Sequence, residues 1–283
     1  MNMLKTFALM FGLLLLMTAV GHFIGGPQGM AAFFVIGLAI NFVSYWFSDK
    51  IVLMMYGAKL ATEQELPQVH RIVQNLTQKA GMPMPKIYLM NSPVPNAFAT
   101  GRNPEHAAVA VTTGIMNILD EKELTGVLGH ELSHVQNRDI LISTIAAGIA
   151  GAISMLSRSA LWFGGSRDDR EGGGHPLAMI LVAILAPLAA MIIQMAISRS
   201  REYAADESGA RLTGLPMSLA SALKKLETGV KRHPDNAHPA TAHLFIVSPL
   251  SGKSFISIFS THPPTSERVK RLEDMAAGPK LIY

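Results

Sequence analysis

Four long stretches of the chain are apolar and contain no Asp, Glu, Lys or Arg. They are Thr6–Ile24, Met30–Phe47, Ile140–Leu156 and Pro176–Ile197. With a rise of about 1.5 Å per residue, a helix of such length approaches the ~30 Å thickness of a bilayer core. The pattern predicts four transmembrane helices in two hairpins, the first closed by GGPQG and the second by GGSRDDREGGGH.

Each hairpin has an alternative interpretation. The first apolar stretch resembles a cleavable signal peptide with Lys5 before it, but it is long and no A-x-A cleavage site follows. The second hairpin could be two buried helices of a globular bundle, but its stretches are apolar on all sides, as lipid-facing helices are. We therefore expect both hairpins to be retained in the membrane.

The apolar stretches divide the chain into four segments. We expect an N-terminal transmembrane hairpin at 1–48, a soluble part at 49–139, a second hairpin at 140–197 and another soluble part at 198–283. Lys and Arg residues near the ends of the spans are more numerous on the side of the soluble parts. The positive-inside rule therefore places the soluble parts in the cytoplasm and the loop 164–175 outside. On the soluble side these residues are Lys5, Lys50, Lys59, Arg138, Arg199 and Arg201, and on the other Arg158, Arg167 and Arg170.

In the first soluble part, the spacing of apolar residues changes from that of a helix to that of strands. Thr62 and Glu65 form a capping-box pattern before apolar positions at helical spacing. Lys86–Met90 and Ala107–Thr112 instead have the composition of short strands, and NAFATGRNPEH between them carries the turn residues of a hairpin. We expect a predominantly α-helical protein whose small mixed sheet has the NAF stretch at one edge.

The second soluble part is mainly helical in its pattern. Helices are expected at 199–212, 216–227 and 265–275. Between the last two, HLFIVS and SFISIF are candidate short strands in an otherwise irregular region.

Composition agrees with a membrane protein. The chain of 283 residues is 49% hydrophobic and 16% charged, against about 25% charged in soluble domains, and its mean hydropathy is +0.29. Cysteine is absent, so a metal would have to be held by His and carboxylate ligands. The net charge of +4 is diffuse and no basic stripe with interleaved aromatics occurs, so no nucleic-acid partner is expected.

The helix predicted after Asp120 carries the motif HExxH. Asp120 and Glu123 form a capping-box pattern, and His130, Glu131 and His134 follow. Histidines at i and i+4 share one helical face and can converge on one zinc ion, while the adjacent glutamate suits a general base for water. The motif alone also arises by chance in on the order of one chain per hundred of this size, given average residue usage.

A catalytic zinc ion needs a third protein ligand. The second hairpin returns the chain to the same membrane face, so SRSREYAAD is delivered close to His134. Glu202 and Asp206 lie one helical turn apart there, which suits one as ligand and the other as acceptor for an imidazole N–H. The alternative is an exposed Arg–Glu–Asp surface.

Together these motifs resemble the HtpX family of bacterial membrane zinc metalloproteases, relatives of the CAAX prenyl proteases. The likeness extends over the whole chain and includes NAFATG, HELSHVQNRD, SRSREYAAD and THPPTSERVKRL. It implies an α+β, zincin-like catalytic domain at the cytoplasmic face of the bacterial inner membrane. It also implies one zinc ion per chain and polypeptide substrates, mainly misfolded or damaged membrane proteins.

The resemblance implies a role for each motif residue. His130, His134 and Glu202 would be zinc ligands, and Glu131 the catalytic base. Asp206 would orient a ligand imidazole with Arg268 as its partner, and His262 would stabilise the oxyanion. An extended substrate would lie on the edge strand that contains Asn96, Ala97 and Phe98.

A metal transporter and a non-catalytic membrane scaffold are the alternatives to a protease. A metal transporter would hold its His and carboxylate residues near the middle of the bilayer, whereas the candidate ligands here lie just outside the spans. A non-catalytic membrane scaffold would not need Glu131 beside both histidines. Caseinolysis with and without a chelator separates the three.

Overall fold

Helices dominate the part of the protein that the structure describes. The structure, a computed structural model, describes residues 2–145, 199–232, 244–247 and 263–278. The helices are α1 (Asn2–Met55), α2 (Pro67–Ala80), α3 (Thr113–Ile118), α4 (Glu121–Gln136), α5 (Arg199–Thr213), α6 (Pro216–Arg232) and α7 (Thr265–Ala277). The strands are β1 (Lys59–Leu60), β2 (Lys86–Met90), β3 (Ala97–Gly101) and β4 (Ala107–Thr112), with a 3₁₀ turn at Pro104–His106.

The long helix α1 folds back on itself. Its backbone angles are not helical at Gly25 and Gly26. The two arms then lie side by side, because the side-chain Nδ2 of Asn41 donates to the carbonyl of Met10 at 2.9 Å. Gly21 allows the close approach, since a Cβ there would collide with the backbone of the opposite arm. The N-terminal segment is therefore a helical hairpin.

One helix in the described residues has the length and composition to cross a membrane. It is Gly25–Met55, and the other arm contains a shorter apolar helix at Thr6–Ala19. The second predicted hairpin, Ile140–Leu156 with Pro176–Ile197, falls almost entirely outside the described residues, as do the loop 164–175 and SFISIF. The count of four spans stays a prediction.

A small mixed sheet forms as expected, but its pairing differs from the predicted hairpin. The strand order is β1-β2-β4-β3. β2 and β4 are parallel, with Ile87 opposite Val109, while β3 is antiparallel to β4, with Phe98 opposite Ala110. The hairpin between KIYLM and AAVAVT was wrong because NAFATG is itself a strand and takes the antiparallel position on the far side of β4.

The sheet separates two regions of the molecule. Its inner face packs against α2, α4, α6 and α7 in the main core, which includes Ala97, Val109, Val111, Leu124, Leu128, Leu132, Leu223 and Val269. Its other face contacts the end of α1, where Val52 and Leu53 cluster with Phe98, Ala108 and Ala110. The helix with HExxH and the N-terminal helical hairpin thus lie on opposite faces of one sheet.

The start of α4 agrees with the sequence pattern, whereas the start of α2 and the strand expected in HLFIVS do not. The capping box at α4 is confirmed: Asp120 accepts from the Glu123 N–H, and the Glu123 carboxylate accepts from the Asp120 N–H, both at 2.9 Å. Thr62 and Glu65 also bond to each other, but they form a turn, and α2 begins later at Pro67, whose fixed φ favours a first helical position. Residues 244–247 of HLFIVS are one 3₁₀ residue and three bends, so the strand expected there was wrong.

Candidate metal centre

The two histidines of α4 face a neighbouring helix at close range. His130 is 1% exposed, and its ring centroid lies 4.8 Å from that of His134. Gly209 of α5 permits this packing, because a Cβ there would lie 2.7 Å from the backbone nitrogen of His130. The contact between α4 and α5 brings side chains of α5 to the imidazoles.

Glu202 of α5 completes a group of three potential ligands. Its Oε2 lies 3.7 Å from His130 Nε2, and its Oε1 lies 3.5 Å from His134 Nε2. One ligand atom from each residue can be chosen so that all lie within 4.8 Å of one another. Tetrahedral zinc with bonds of ~2.1 Å would hold ligand atoms about 3.4 Å apart. The group therefore fits a single ion after small side-chain adjustments.

A carboxylate faces the outer nitrogen of each imidazole. His130 Nδ1 lies 2.9 Å from Asp206 Oδ1, and His134 Nδ1 lies 3.5 Å from Asp139 Oδ2. Such contacts select the tautomer with the proton on Nδ1 and orient the ring. Both Nε2 atoms are thereby left to face Glu202.

Arg268 of α7 holds Asp206 with two parallel hydrogen bonds. Its Nε donates to Oδ2 at 2.8 Å and its Nη2 to Oδ1 at 2.7 Å. The guanidinium is 1% exposed, and its Nη1 donates to the carbonyl of Ile246 at 2.7 Å. Burial alone would favour a protonated acid, but the charge and hydrogen bonds of Arg268 lower the pKa of Asp206 to about 2. Asp206 is therefore ionised at neutral pH.

Glu131 is fixed from the other side by the sheet. The backbone N–H of Ala99 in β3 donates to its Oε2 at 2.8 Å, which leaves Oε1 for a proton transfer. Burial raises the pKa of Glu131, and the neighbouring His130 and His134 oppose this only in part. The carboxyl is thus a stronger base than an exposed glutamate and stands beside the ligand group without belonging to it.

Asp139 was missed in the sequence because an unusual turn brings it back to His134. Arg138 has a left-handed backbone with φ 56. The Arg138 N–H donates to the carbonyl of Val135 and the Asp139 N–H to that of His134, the Schellman pattern that ends helices. The available signal was NRD after the helix, but glycine is the usual residue at such a turn.

Negative charge concentrates around His134. Burial alone would lower its pKa, but the hydrogen bond to Asp139 and the charges of Glu202 and Glu131 raise the pKa of His134 to about 9. The site therefore favours a positive charge at this position, which either a proton or a metal ion can supply.

The remaining predicted residues lie beside the centre or outside the described chain. Asn96 is buried, and its Oδ1 accepts from the Ile246 N–H at 3.2 Å. Ala97 and Phe98 are also buried and begin the edge strand β3. The structure brings this strand to Glu131, whereas His262 lies outside the described residues.

The chain is similar in sequence to a peptidase family and to individual proteins. Residues 63–276 match peptidase family M48. The protein named Protease HtpX homolog from Thermodesulfovibrio yellowstonii is 58% identical over 98% of this chain and 99% of its own, and its namesake from Pyrococcus furiosus is 53% identical over 99% and 98%. The resemblance to the HtpX family is thereby confirmed.

A solved structure shares the fold at low sequence identity. The crystal structure of S. mikatae Ste24p superposes with a TM-score of 0.53 at 18% identity, covering 96% of this chain and 66% of the other. At that identity the likeness concerns the fold alone. With the family match over most of its length, this chain belongs to peptidase family M48.

Proposed function

We propose that this membrane metalloprotease is a zinc-dependent endopeptidase. The observation that carries the proposal is the convergence of His130, His134 and Glu202, whose ligand atoms lie within 4.8 Å, with Glu131 beside them. Two imidazoles and one carboxylate are a donor set typical of catalytic zinc sites, and the chain has no cysteine to offer another. Zinc in this position would act as a Lewis acid that makes a water nucleophilic near neutral pH.

Glu131 is proposed to move the protons of the reaction. Its Oε2 is held by the Ala99 N–H, so Oε1 can take a proton from the attacking water and later give it to the leaving amine. Asp206 and Asp139 keep the histidine rings oriented while this happens. A donor such as His262 is proposed for the oxyanion, a contribution of about 3 kcal/mol by analogy with other proteases.

The edge strand β3 is the proposed support for an extended substrate. The Ala99 N–H points away from β4, because it donates to Glu131. Alternation along a strand then directs the main-chain groups of Ala97 outward as well. Pairing with Asn96, Ala97 and Phe98 would read the backbone of the substrate, so weak sequence preference is expected. That suits cleavage of misfolded membrane proteins.

Chelation is the experiment that tests the proposed function. Purified protein should degrade casein, lose that activity when a chelator removes the metal, and regain it with about one equivalent of zinc per chain. A scaffold would show no proteolysis in any condition. A transporter would move metal across vesicles without cleaving casein. Activity that survives complete metal removal would overturn the proposal.

Asp139 is expected to contribute to metal affinity through His134. Asp139→Asn removes the charge that faces His134 Nδ1, so zinc affinity should fall by roughly 10-fold, at the lower end of such losses. Competition with a chromophoric chelator measures the zinc affinity. Glu121→Gln, which changes an exposed carboxylate of the same helix, is the matched control and should bind zinc normally. Unchanged affinity in Asp139→Asn would show that the contact does not orient the ring.

The proposed location is the bacterial inner membrane, with the metal centre at the cytoplasmic face. Because the chain lacks cysteine, single cysteines can report the side. An impermeant thiol reagent added to spheroplasts should label Ser166→Cys and not Ser251→Cys, with both labelled after lysis. Equal labelling before lysis would contradict this topology.

A further inference from the structure

A cleft of about 690 Å³ lies between the end of α1 and the sheet. Its walls include Phe42 and Trp46 of α1, Lys86 and Tyr88 of β2, and the turn that joins β3 to β4. It is on the face of the sheet that contacts α1, whereas the metal centre is on the face that contacts α4. The cleft is therefore separate from the catalytic group.

One wall of the cleft continues an apolar surface of the membrane-spanning helix. Leu38, Phe42 and Trp46 are spaced by four residues and are 46%, 60% and 44% exposed. Residues at this spacing form a stripe along one helical face. The stripe begins within the candidate span Gly25–Met55 and ends in the cleft. Tryptophan is typical of the level where lipid tails meet head groups.

Three cations line the cleft, Lys50 on α1 and Lys86 and Arg102 on the side of the sheet. Among the described residues, Lys50, Lys86 and Arg102 form no ion pair. Arg102 instead lies over the Trp46 ring at 4.5 Å, and Lys50 over the Phe47 ring at 5.3 Å. A cation–π contact holds a guanidinium without using its N–H donors. Three cations in the cleft thus outnumber its two carboxylates, Asp49 and Glu105.

We propose that this cleft binds a phospholipid with an anionic head group. The phosphate would lie among Lys50, Lys86 and Arg102, where the guanidinium fork suits its oxygens. The acyl chains would lie along the stripe formed by Leu38, Phe42 and Trp46. A free phosphate shares the head-group chemistry but would leave the stripe unused, so the occupant is a membrane lipid.

A bound lipid would act on the strand next to the catalytic base. Arg102 directly follows β3, and Ala99 of that strand donates to Glu131. A head group held by Arg102 would therefore fix the turn between β3 and β4 at the membrane surface. The inference concerns a site distinct from the metal and does not depend on the proposed proteolysis.

Trp46 is a built-in reporter for the test. The chain has two tryptophans, so Trp162→Phe leaves Trp46 alone. This protein is reconstituted in phosphatidylcholine vesicles that contain a small fraction of lipid brominated on its acyl chains. Brominated phosphatidylglycerol should quench the fluorescence of Trp46 at a severalfold lower mole fraction than brominated phosphatidylcholine. Equal quenching by the two lipids would overturn the proposal.

Charge reversal identifies the head-group contact. Lys86 is exposed at the start of β2, so Lys86→Glu should fold normally and lose about fivefold or more of the preference for phosphatidylglycerol. Lys79→Glu makes the same change on an exposed residue of α2 outside the cleft and should keep the preference. A preference that survives Lys86→Glu contradicts the site. Full displacement by soluble glycerol phosphate would overturn the assignment to a lipid.

Discussion

Glu131→Gln is expected to lower turnover by about 10²- to 10⁴-fold, the usual contribution of a general base, while zinc content stays at one ion per chain. The amide is nearly isosteric with the carboxylate, and its oxygen can still accept the hydrogen bond from Ala99. It cannot take a proton from water. Caseinolysis and elemental analysis of the same preparation measure both quantities.

A ligand variant and a stability measurement distinguish loss of the base from loss of the metal or of the fold. His134→Ala removes one of the three proposed ligands, so it should lose zinc as well as activity. The chelated Glu131→Gln protein should be no less stable to heat than the chelated parent, because burial disfavours the charge that the substitution removes. If Glu131→Gln lost its zinc, or kept substantial activity, the assignment of Glu131 as base would be wrong.

The pair formed by Asp206 and Arg268 should have the second-largest effect. Arg268→Ala leaves a buried carboxylate without its cation and frees the group that orients His130. Activity or zinc affinity should fall by roughly 10- to 100-fold. Asp206→Ala should have a similar effect. Because either substitution breaks the same unit, the double variant should be little worse, with a coupling of about 1–3 kcal/mol.

Two further variants test the geometry of this pair. Arg268→Lys keeps the charge but cannot donate two parallel N–H groups, so it should restore only part of the loss. Lys270→Ala, an exposed change on the same helix, should behave as the parent. Strictly additive losses in Asp206→Ala and Arg268→Ala would mean that the residues act independently.

Features that depend on near neighbours in sequence could be predicted from the sequence. The capping box at Asp120 and Glu123 involves residues three apart, and the histidines of HExxH share a face because of helical geometry alone. Strands β2 and β4 were recognised with their observed bounds. The proximity of Glu202 to His134 followed from the expectation that the second hairpin returns to the same side of the membrane.

Features that depend on a single backbone angle or on strand order could not be predicted. The turn at Arg138 uses a conformation that favours glycine, so the sequence NRD was only a weak signal that Asp139 would face His134. The small and polar residues of NAFATG do not by themselves distinguish a strand from a turn, so only its position at the sheet edge was expected, whereas Ala97–Gly101 forms the strand β3. The parallel pairing of β2 with β4 was missed because the residues of β3 were assigned to the turn of a hairpin.

The burial of Arg268 also implies an order in which the parts of the metal centre come together during folding. Asp206 and His130 belong to elements that can meet as soon as α4 and α5 pack, but the cation that stabilises them arrives with α7, many residues later in the chain. Until that helix docks, a charged carboxylate would be buried without compensation, so the imidazole would be poorly oriented. Newly made protein should therefore stay proteolytically silent during synthesis and insertion. Docking of α7 would then be the step that completes the orientation of His130.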